Sequence, residues 1–362
     1  MTDQEVFFDE IRRYKKSEQK KIIDQFEGDP LHNRREILAR LSAVAEAIII
    51  ATYSFIKRDL EQQYGLATFL SSYKQVQPAH LAILGMGKFG DRTLNYCSDL
   101  DVVFVYSNRG ETQGKKIIDN GEFFVKLAQR FISALSVLTV EGRCYEIDTE
   151  LRPSGNQGPL VTSYDHFVDH QMNRALNWER QALVRARAIA ENGEYKKLLD
   201  DQVSGLVYER PLPTGFATDM HGIRERVIRE KTRETDHVID IKLGPGSLMD
   251  IEFIVHHTQL KNAPVFPDLK SNSLFDCLAV LRHHDLFSMA DLDILTQAHL
   301  YYRTIESLLH LIKKRAESIV DFRSETFNEV SIRLGHADPL KLKSDIIKMR
   351  VEVRRIFKRL YA

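Results

Sequence analysis

A short apolar strand, a glycine loop, and a second strand only about ten residues further on constrain this chain more than any other feature. His80-Leu81-Ala82-Ile83-Leu84 has the composition of a buried strand, and Gly85-Met86-Gly87-Lys88-Phe89-Gly90 follows it in a G-x-G-x-x-G pattern. A dinucleotide-binding fold needs about three turns of helix after those glycines, and an acid at the end of the next strand about 20 residues on. Here the next strand starts too early, and its acids, Asp99 and Asp101, stand at its beginning. A Walker A loop is excluded as well, because no Ser or Thr follows Lys88 at the required offset.

In Asn95-Tyr96-Cys97-Ser98-Asp99-Leu100-Asp101, followed by Val102-Val103-Phe104-Val105-Tyr106, two carboxylates two positions apart share one face of the expected strand. They repel each other unless a cation lies between them, and a divalent metal carried on nucleotide phosphates meets that need. Glycine lets backbone N–H groups come close to phosphate oxygens, and Lys88 adds a mobile positive charge. A third acid comes from Cys144–Leu151, which alternates as a strand with one buried face. Asp148 lies at its middle, and Glu146 and Glu150 share its face. An acid within a largely buried sheet is costly unless it is paired or metal-bound; if this strand neighbours residues 100–106, Asp148 joins Asp99 and Asp101, and either Glu146 or Glu150 could take its place. Three acids can hold two divalent ions, one on a triphosphate and one lowering the pKa of an attacking hydroxyl.

Around this core the chain divides into three parts. Residues 1–75 read as a helical segment, with Asn33 capping a helix from about Glu36 to Gln63 that ends near Gly65, then a loop through Ser71, Ser72 and Pro78. Residues 76–215 hold the mixed α/β unit, including a helix over Asn120–Leu138 with apolar residues at helical spacing. Residues 216–362 read as a helical bundle, with segments 247–261, 273–286, 291–318 and 340–361. Lys+Arg and Asp+Glu both number 51, so net charge gives no argument for nucleic acid or membrane. The apolar stretch Ala45–Ile56 is too short and interrupted to span a bilayer. Three scattered cysteines and a polar N-terminus fit a reducing cytoplasm.

Three runs together resemble a known family. They are Gly85-Met86-Gly87-Lys88-Phe89-Gly90, then Ser98-Asp99-Leu100-Asp101, then the stretch from Tyr145 to Val161. They are similar to the nucleotidyltransferase domain of the glutamine synthetase adenylyltransferases, and Trp178–Arg187 and Ile241–Ile254 extend the likeness to about residue 260. The resemblance implies an α+β fold: a polymerase-β-like domain with a small mixed sheet, followed by an all-α helical bundle domain. It implies Asp99, Asp101 and Asp148 as catalytic, metal-binding acids. It also implies Gly85, Gly87, Lys88, Ser98 and Arg152 on the nucleotide side, with ATP as substrate and Mg²⁺ or Mn²⁺ as metal. The implied partner is glutamine synthetase, whose tyrosine gains AMP from ATP or loses it by phosphorolysis, and a nitrogen-regulatory signalling protein is a further implied partner. Members of this family carry two such domains, and this chain has one copy. Tyr145-Glu146-Ile147-Asp148-Thr149, the Ala182–Arg187 run and Asp250-Ile251-Glu252 resemble the adding half, whereas Gly85–Lys88 with Leu94-Asn95 resembles the removing half. Glu150 stands where the family has a basic residue, and Ser247 where it has a glycine. A non-catalytic module that binds nucleotide or glutamine synthetase is the alternative.

The accessory residues have plainer readings. Arg152 suits a phosphate or a neighbouring acid such as Glu150. Arg180, Arg185 and Arg187 read as helix arginines suited to surface ion pairs, Trp178 as core, and His256-His257 and His283-His284 as structural. Asp250 and Glu252 cannot both face one way on a helix.

Overall fold

Helical periodicity opens the chain. A computed structural model describes residues 3–26, 31–189 and 192–361. Its contacts divide into one unit made of Met1–Ile22, Ala39–Leu94 and Ser98–Val207, and a second made of Ile23–Leu38, Asn95–Cys97 and Tyr208–Ala362.

Two long helices come first, α1 (Asp3–Phe26) and α2 (Arg34–Tyr64), each with most of its length in the first unit. Asn33 accepts the first helical bond from Ile37 N at 3.0 Å, and Gly65, at φ +78°, ends α2 in the left-handed conformation that glycine adopts without strain. Leu41, Ala45, Ile48, Ile49, Thr52, Ile56 and Leu60 recur at helical spacing, and all are buried. Taken whole, α2 is long and apolar enough to cross a membrane, beyond the shorter stretch Ala45–Ile56 read from sequence. More than half of its most apolar window (56%) is nonetheless buried in this protein. Arg12 on α1 is almost fully buried, and its guanidinium donates to the carbonyls of Phe8, Ala134, Val137 and Gly142.

The loop expected before Pro78 contains two strands. β1 (Ala67–Leu70) and β2 (Val76–Pro78) pair antiparallel through a tight turn, in which Lys74 at φ +58° donates to Ser71 O. β3 (Leu81–Gly85) is buried throughout and leads into a single turn of helix, α3 (Gly87–Gly90). β4 (Leu100–Tyr106) is buried along its length except at Asp101. β5 (Glu111–Thr112) joins β1, and α4 (Asn120–Ser136) is capped by Asp119, which accepts from Gly121 N. α4 lays Phe131 edge-on against Phe104 of β4, ring centroids 5.8 Å apart.

β6 is only Ile147–Asp148, far shorter than the strand expected over Cys144–Leu151. The amides of Cys144 and Tyr145 both donate to Leu135 O at the end of α4. Beyond Asp148 the chain turns, with Arg152 N bonded to Thr149 O. β7 (Val161–Ser163) returns to β4, followed by α5 (Tyr164–Asn173), α6 (Asn177–Ala182), β8 (Arg187–Ile189) and α7 (Gly193–Tyr208). The main sheet runs β6-β4-β3-β8, with β7 also on β4. β3 pairs antiparallel with β4 and β8, and β4 pairs parallel with β6 and β7, so the sheet is small and mixed.

The second unit holds the helices read from sequence. They are α8 (Phe216–Lys231), α9 (Leu248–Asn262), α10 (Leu274–Val280), α11 (Met289–Lys313), α12 (Glu325–Arg333) and α13 (Pro339–Tyr361). The strand pair β9 (Val238–Asp240) and β10 (Ile319–Asp321) is an addition to the helical bundle. The fold is α+β, with a mixed-sheet domain and a helical domain, as the sequence led one to expect.

Candidate active site

The loop joining β3 to β4 is the focus of the first unit. The ladder between these strands runs from Leu81↔Tyr106 to Gly85↔Val102, and Met86 N extends it by donating to Asp101 O at 2.9 Å. Gly87, at φ +51°, then crosses the face of Asp101. A Cβ built on it would sit 2.5 Å from Asp101 Oδ2, closer than real Cβ atoms approach an oxygen. Glycine is therefore required twice here, for conformation and for space. Gly85 is limited by the Phe89 ring, which a Cβ would meet at 2.8 Å. Lys88 and Gly87 are half-buried.

The acids come from three backbone positions. Asp101 of β4 and Asp148 of β6 are Cα partners on neighbouring parallel strands, and both are half-buried. Asp99 lies one residue before β4 and is exposed, and Ser98 beside it is buried. Asp148 Oδ1 accepts the Glu150 amide at 2.7 Å, which fixes one of its oxygens. Among the described residues no three His, Cys, Asp or Glu side chains stand close enough to hold a metal ion by themselves.

A divalent cation nevertheless suits the residues present. The donors are hard carboxylate oxygens on adjacent strands, and the missing side chain of Gly87 lets the loop backbone lie close against Asp101 Oδ2. Mg²⁺ is commonly bound by one or two carboxylates with phosphates and waters completing the shell. A site of that kind does not need a full protein cage.

Arg152 bonds within its own loop, and Arg180, Arg185 and Arg187 lie elsewhere than the sequence implied. Arg152 donates to Thr149 O at 2.8 Å, Thr149 Oγ1 at 2.9 Å and Asn156 Oδ1 at 3.1 Å, and Asn156 in turn donates to Glu150. Its guanidinium thus ties its own loop together, and Ser154 sits in that loop at φ +63°. Arg180, Arg185 and Arg187 are buried, not on a solvated face. Arg180 donates to Val207 O, Arg185 pairs with Asp91 at 2.7 Å, and Arg187 pairs with Glu46 at 3.0 Å. The run changes from helix to a 3₁₀ turn at Leu183–Arg185 and then to β8, so the helical periodicity assumed for it does not apply. Alternation of small residues with Arg185, Arg187 and Ile189 was the signal for the strand. Trp178 is 36% exposed and is not a core residue. In the second unit, Asp250 is fully buried, held by Arg224 at 2.6 Å, Arg354 at 3.2 Å and the Gly246 amide at 2.7 Å. Glu252 faces a different partner, Arg303, at 3.4 Å.

The family model described as glutamate-ammonia ligase adenylyltransferase matches residues 1–202, more than half of the chain, and covers the glycine loop and the three acids. The chain belongs to the glutamate-ammonia ligase adenylyltransferase family. A second model, GlnD PII-uridylyltransferase, matches residues 221–361. A bifunctional glutamine synthetase adenylyltransferase/adenylyl-removing enzyme of Shewanella loihica is 34% identical over 324 residues, 89% of this chain and 33% of that protein. The enzyme of the same name from Shewanella frigidimarina is 30% identical over 356 residues, 98% of the chain and 37% of the relative. That from Aromatoleum aromaticum is 34% identical over 277 residues, 76% and 29% respectively. This member of the adenylyltransferase family therefore spans about a third of the length of the curated relatives it matches.

Proposed function

We propose that this chain is a nucleotidyltransferase that moves AMP on or off a tyrosine of glutamine synthetase. The observation that carries the reading is the register of Asp101 with Asp148, on adjacent parallel strands, beside a glycine whose backbone lies close against Asp101 Oδ2. In this reading the loop Gly85–Gly90 lies along the nucleotide phosphates, with Lys88 countering their charge and Ser98 and Arg152 beside them. Asp101 and Asp148, with Asp99 at the rim, hold Mg²⁺ or Mn²⁺, which when bound neutralises polyphosphate charge and activates the attacking oxygen. Asp148 keeps a fixed direction through its bond from the Glu150 amide.

For addition, the tyrosine hydroxyl gives up its proton to water as its oxygen bonds to the α-phosphorus of ATP, the bond from that phosphorus to the oxygen bridging to the β-phosphorus breaks, and pyrophosphate leaves. For removal, an oxygen of inorganic phosphate bonds to the phosphorus of AMP-tyrosine, the tyrosine oxygen leaves with a proton, and ADP forms. The relatives are named for both directions, and the same three acids serve either. We assign the nucleotide chemistry to residues 76–215 and a regulatory role to the helical residues 216–362. The likeness of residues 221–361 to a PII-uridylyltransferase model supports a nitrogen-regulatory signalling protein as a further partner. The reading sets this chemistry in the cytoplasm.

Mass spectrometry of glutamine synthetase is the test. Unmodified enzyme incubated with the chain, Mg²⁺ and ATP is expected to gain AMP, or pre-modified enzyme incubated with phosphate to lose it. No mass change in either incubation, or an Asp101→Ala variant as active as its parent, overturns the reading.

A further inference from the structure

The far end of the glycine loop is held by an ion pair that the chemistry above does not use. Asp91 immediately follows α3, and its side chain is 1% exposed. One of its oxygens accepts from both the amide and the hydroxyl of Thr93. The other meets Arg185 Nη2 at 2.7 Å, and that guanidinium is also buried. The same stretch is tied again by backbone packing. A Cβ on Gly90 would collide with the carbonyl oxygens of Arg185 and Gly85, so glycine alone lets the loop lie on the 3₁₀ turn. Arg187 donates to Gly90 O at 3.3 Å, and its strand pairs Gly85 with Arg187. At the near end, Met86 N holds Asp101 O.

Between these two anchors, Gly87 and Lys88 have little freedom. We propose that the buried Asp91–Arg185 pair is a positioning device for the phosphate-facing loop: Arg185 acts through Asp91 to keep the Gly87 backbone against Asp101. This rests on the nucleotide reading above. Neither residue touches the reacting atoms, and each acts only by fixing where the loop backbone lies. A buried ion pair of this kind is costly to break on one side, because the other charge is left without its counter-ion. Its loss is therefore felt first by the segment it ties down.

Two variants test this, Asp91→Asn and Arg185→Lys. Asp91→Asn removes the charge and keeps the shape, and Arg185→Lys keeps the charge and loses the fork. Both are checked by thermal melt and assayed well below their melting temperature. Amide hydrogen exchange of the free protein reads the loop directly. Exchange at residues 86–90 is expected to rise about tenfold or more in Asp91→Asn, with β3 unchanged at Leu81–Leu84. Arg185→Lys is expected to show a smaller rise. The KM for ATP is expected to rise about tenfold in Asp91→Asn with kcat changed about twofold or less. A pair that served only stability would lower the melting temperature and leave both readouts at parental values, and that result overturns the proposal. Failure of the wild-type chain to bind Mg²⁺-ATP would sink the parent reading, and it is read from the wild type alone. Loop amides that exchange alike in all three proteins would sink this inference whatever the wild type binds.

Discussion

Asp101 and Asp148 face each other across a parallel strand pair, although 46 positions separate them in sequence. The pairing lasts only two residues, Leu100↔Ile147 and Asp101↔Asp148, before β6 ends. Parallel neighbours at one level of a sheet point their side chains to the same face. The backbone thus brings the two carboxylates side by side without any help from their own interactions.

Asp101→Asn is therefore expected to remove transfer activity while leaving the fold intact. The change is isosteric and half-buried, and loses only the charge that would hold a cation. A fall of at least 10³-fold in kcat, about 4 kcal/mol, should accompany loss of the Mg²⁺ dependence of ATP binding in calorimetry. Near-parental turnover would remove Asp101 from the site.

Gly87→Ala is expected to be nearly as damaging, for a steric reason. The methyl group would sit 2.5 Å from Asp101 Oδ2 and force an L-residue to φ +51°. Left-handed strain alone costs about 1–2 kcal/mol, and relief of the clash must displace the loop or the carboxylate. Nucleotide affinity measured by titration should fall tenfold or more, with a melting temperature lowered by only a few degrees.

Asp250→Asn is expected to act on stability. The carboxylate is fully buried between Arg224 and Arg354, and burial lowers the Arg224 pKa, a shift that Asp250 opposes. Breaking a buried charge pair from one side costs about 3–5 kcal/mol. Denaturant titration of the full chain should show that loss in the transition of the helical unit. A change below about 1 kcal/mol would mean the arginines find other partners.

Acid should weaken the helical unit through His257. Burial, with Lys261 adding to it, lowers its pKa from the usual 6.5 to about 4. The unfolded chain binds a proton there more readily than the folded one. The stability from keeping His257 neutral is therefore fully present above pH 6.5 and is lost as pH falls from 6.5 towards 4, by up to about 3 kcal/mol. Asp291 adds to the trend lower down: burial works against its charged form, but hydrogen bonds from Arg359, Ser288 and Arg355 outweigh it and hold the pKa at about 2. Its contribution is kept above the ordinary carboxylate range near pH 4 and lost as pH drops to 2. Replacing His257 with Gln should flatten the curve between pH 6.5 and 4 and leave the lower part unchanged.

Local signals carried much of this fold. Asn33 and Gly65 bracket α2 because a cap and a left-handed glycine act within one turn, β3 and β4 are short continuous apolar runs, and α4 has apolar residues at helical spacing. The glycine loop and Asp101 were legible for the same reason, since residues 85–101 form one hairpin-like stretch. Cys144–Leu151 misled because its alternation is real, but its amides are claimed by Leu135 O rather than by a strand. The arginines misled for a different reason. Nothing local shows that Arg185 will meet Asp91, or Arg187 meet Glu46, so a buried ion pair between distant segments looks in sequence like two surface charges.

The pairing of β8 with β3 has a consequence for biosynthesis. Residues Ile83, Leu84 and Gly85 find their outer partners only at Ile189, Ala188 and Arg187. A growing polypeptide that has emerged as far as α6 therefore presents an unpaired, apolar sheet edge to its surroundings. An edge of that kind invites pairing with other chains. Ribosome pausing or premature stops before Arg187 should thus give products that depend on chaperones, whereas a few more residues close the edge and end the hazard.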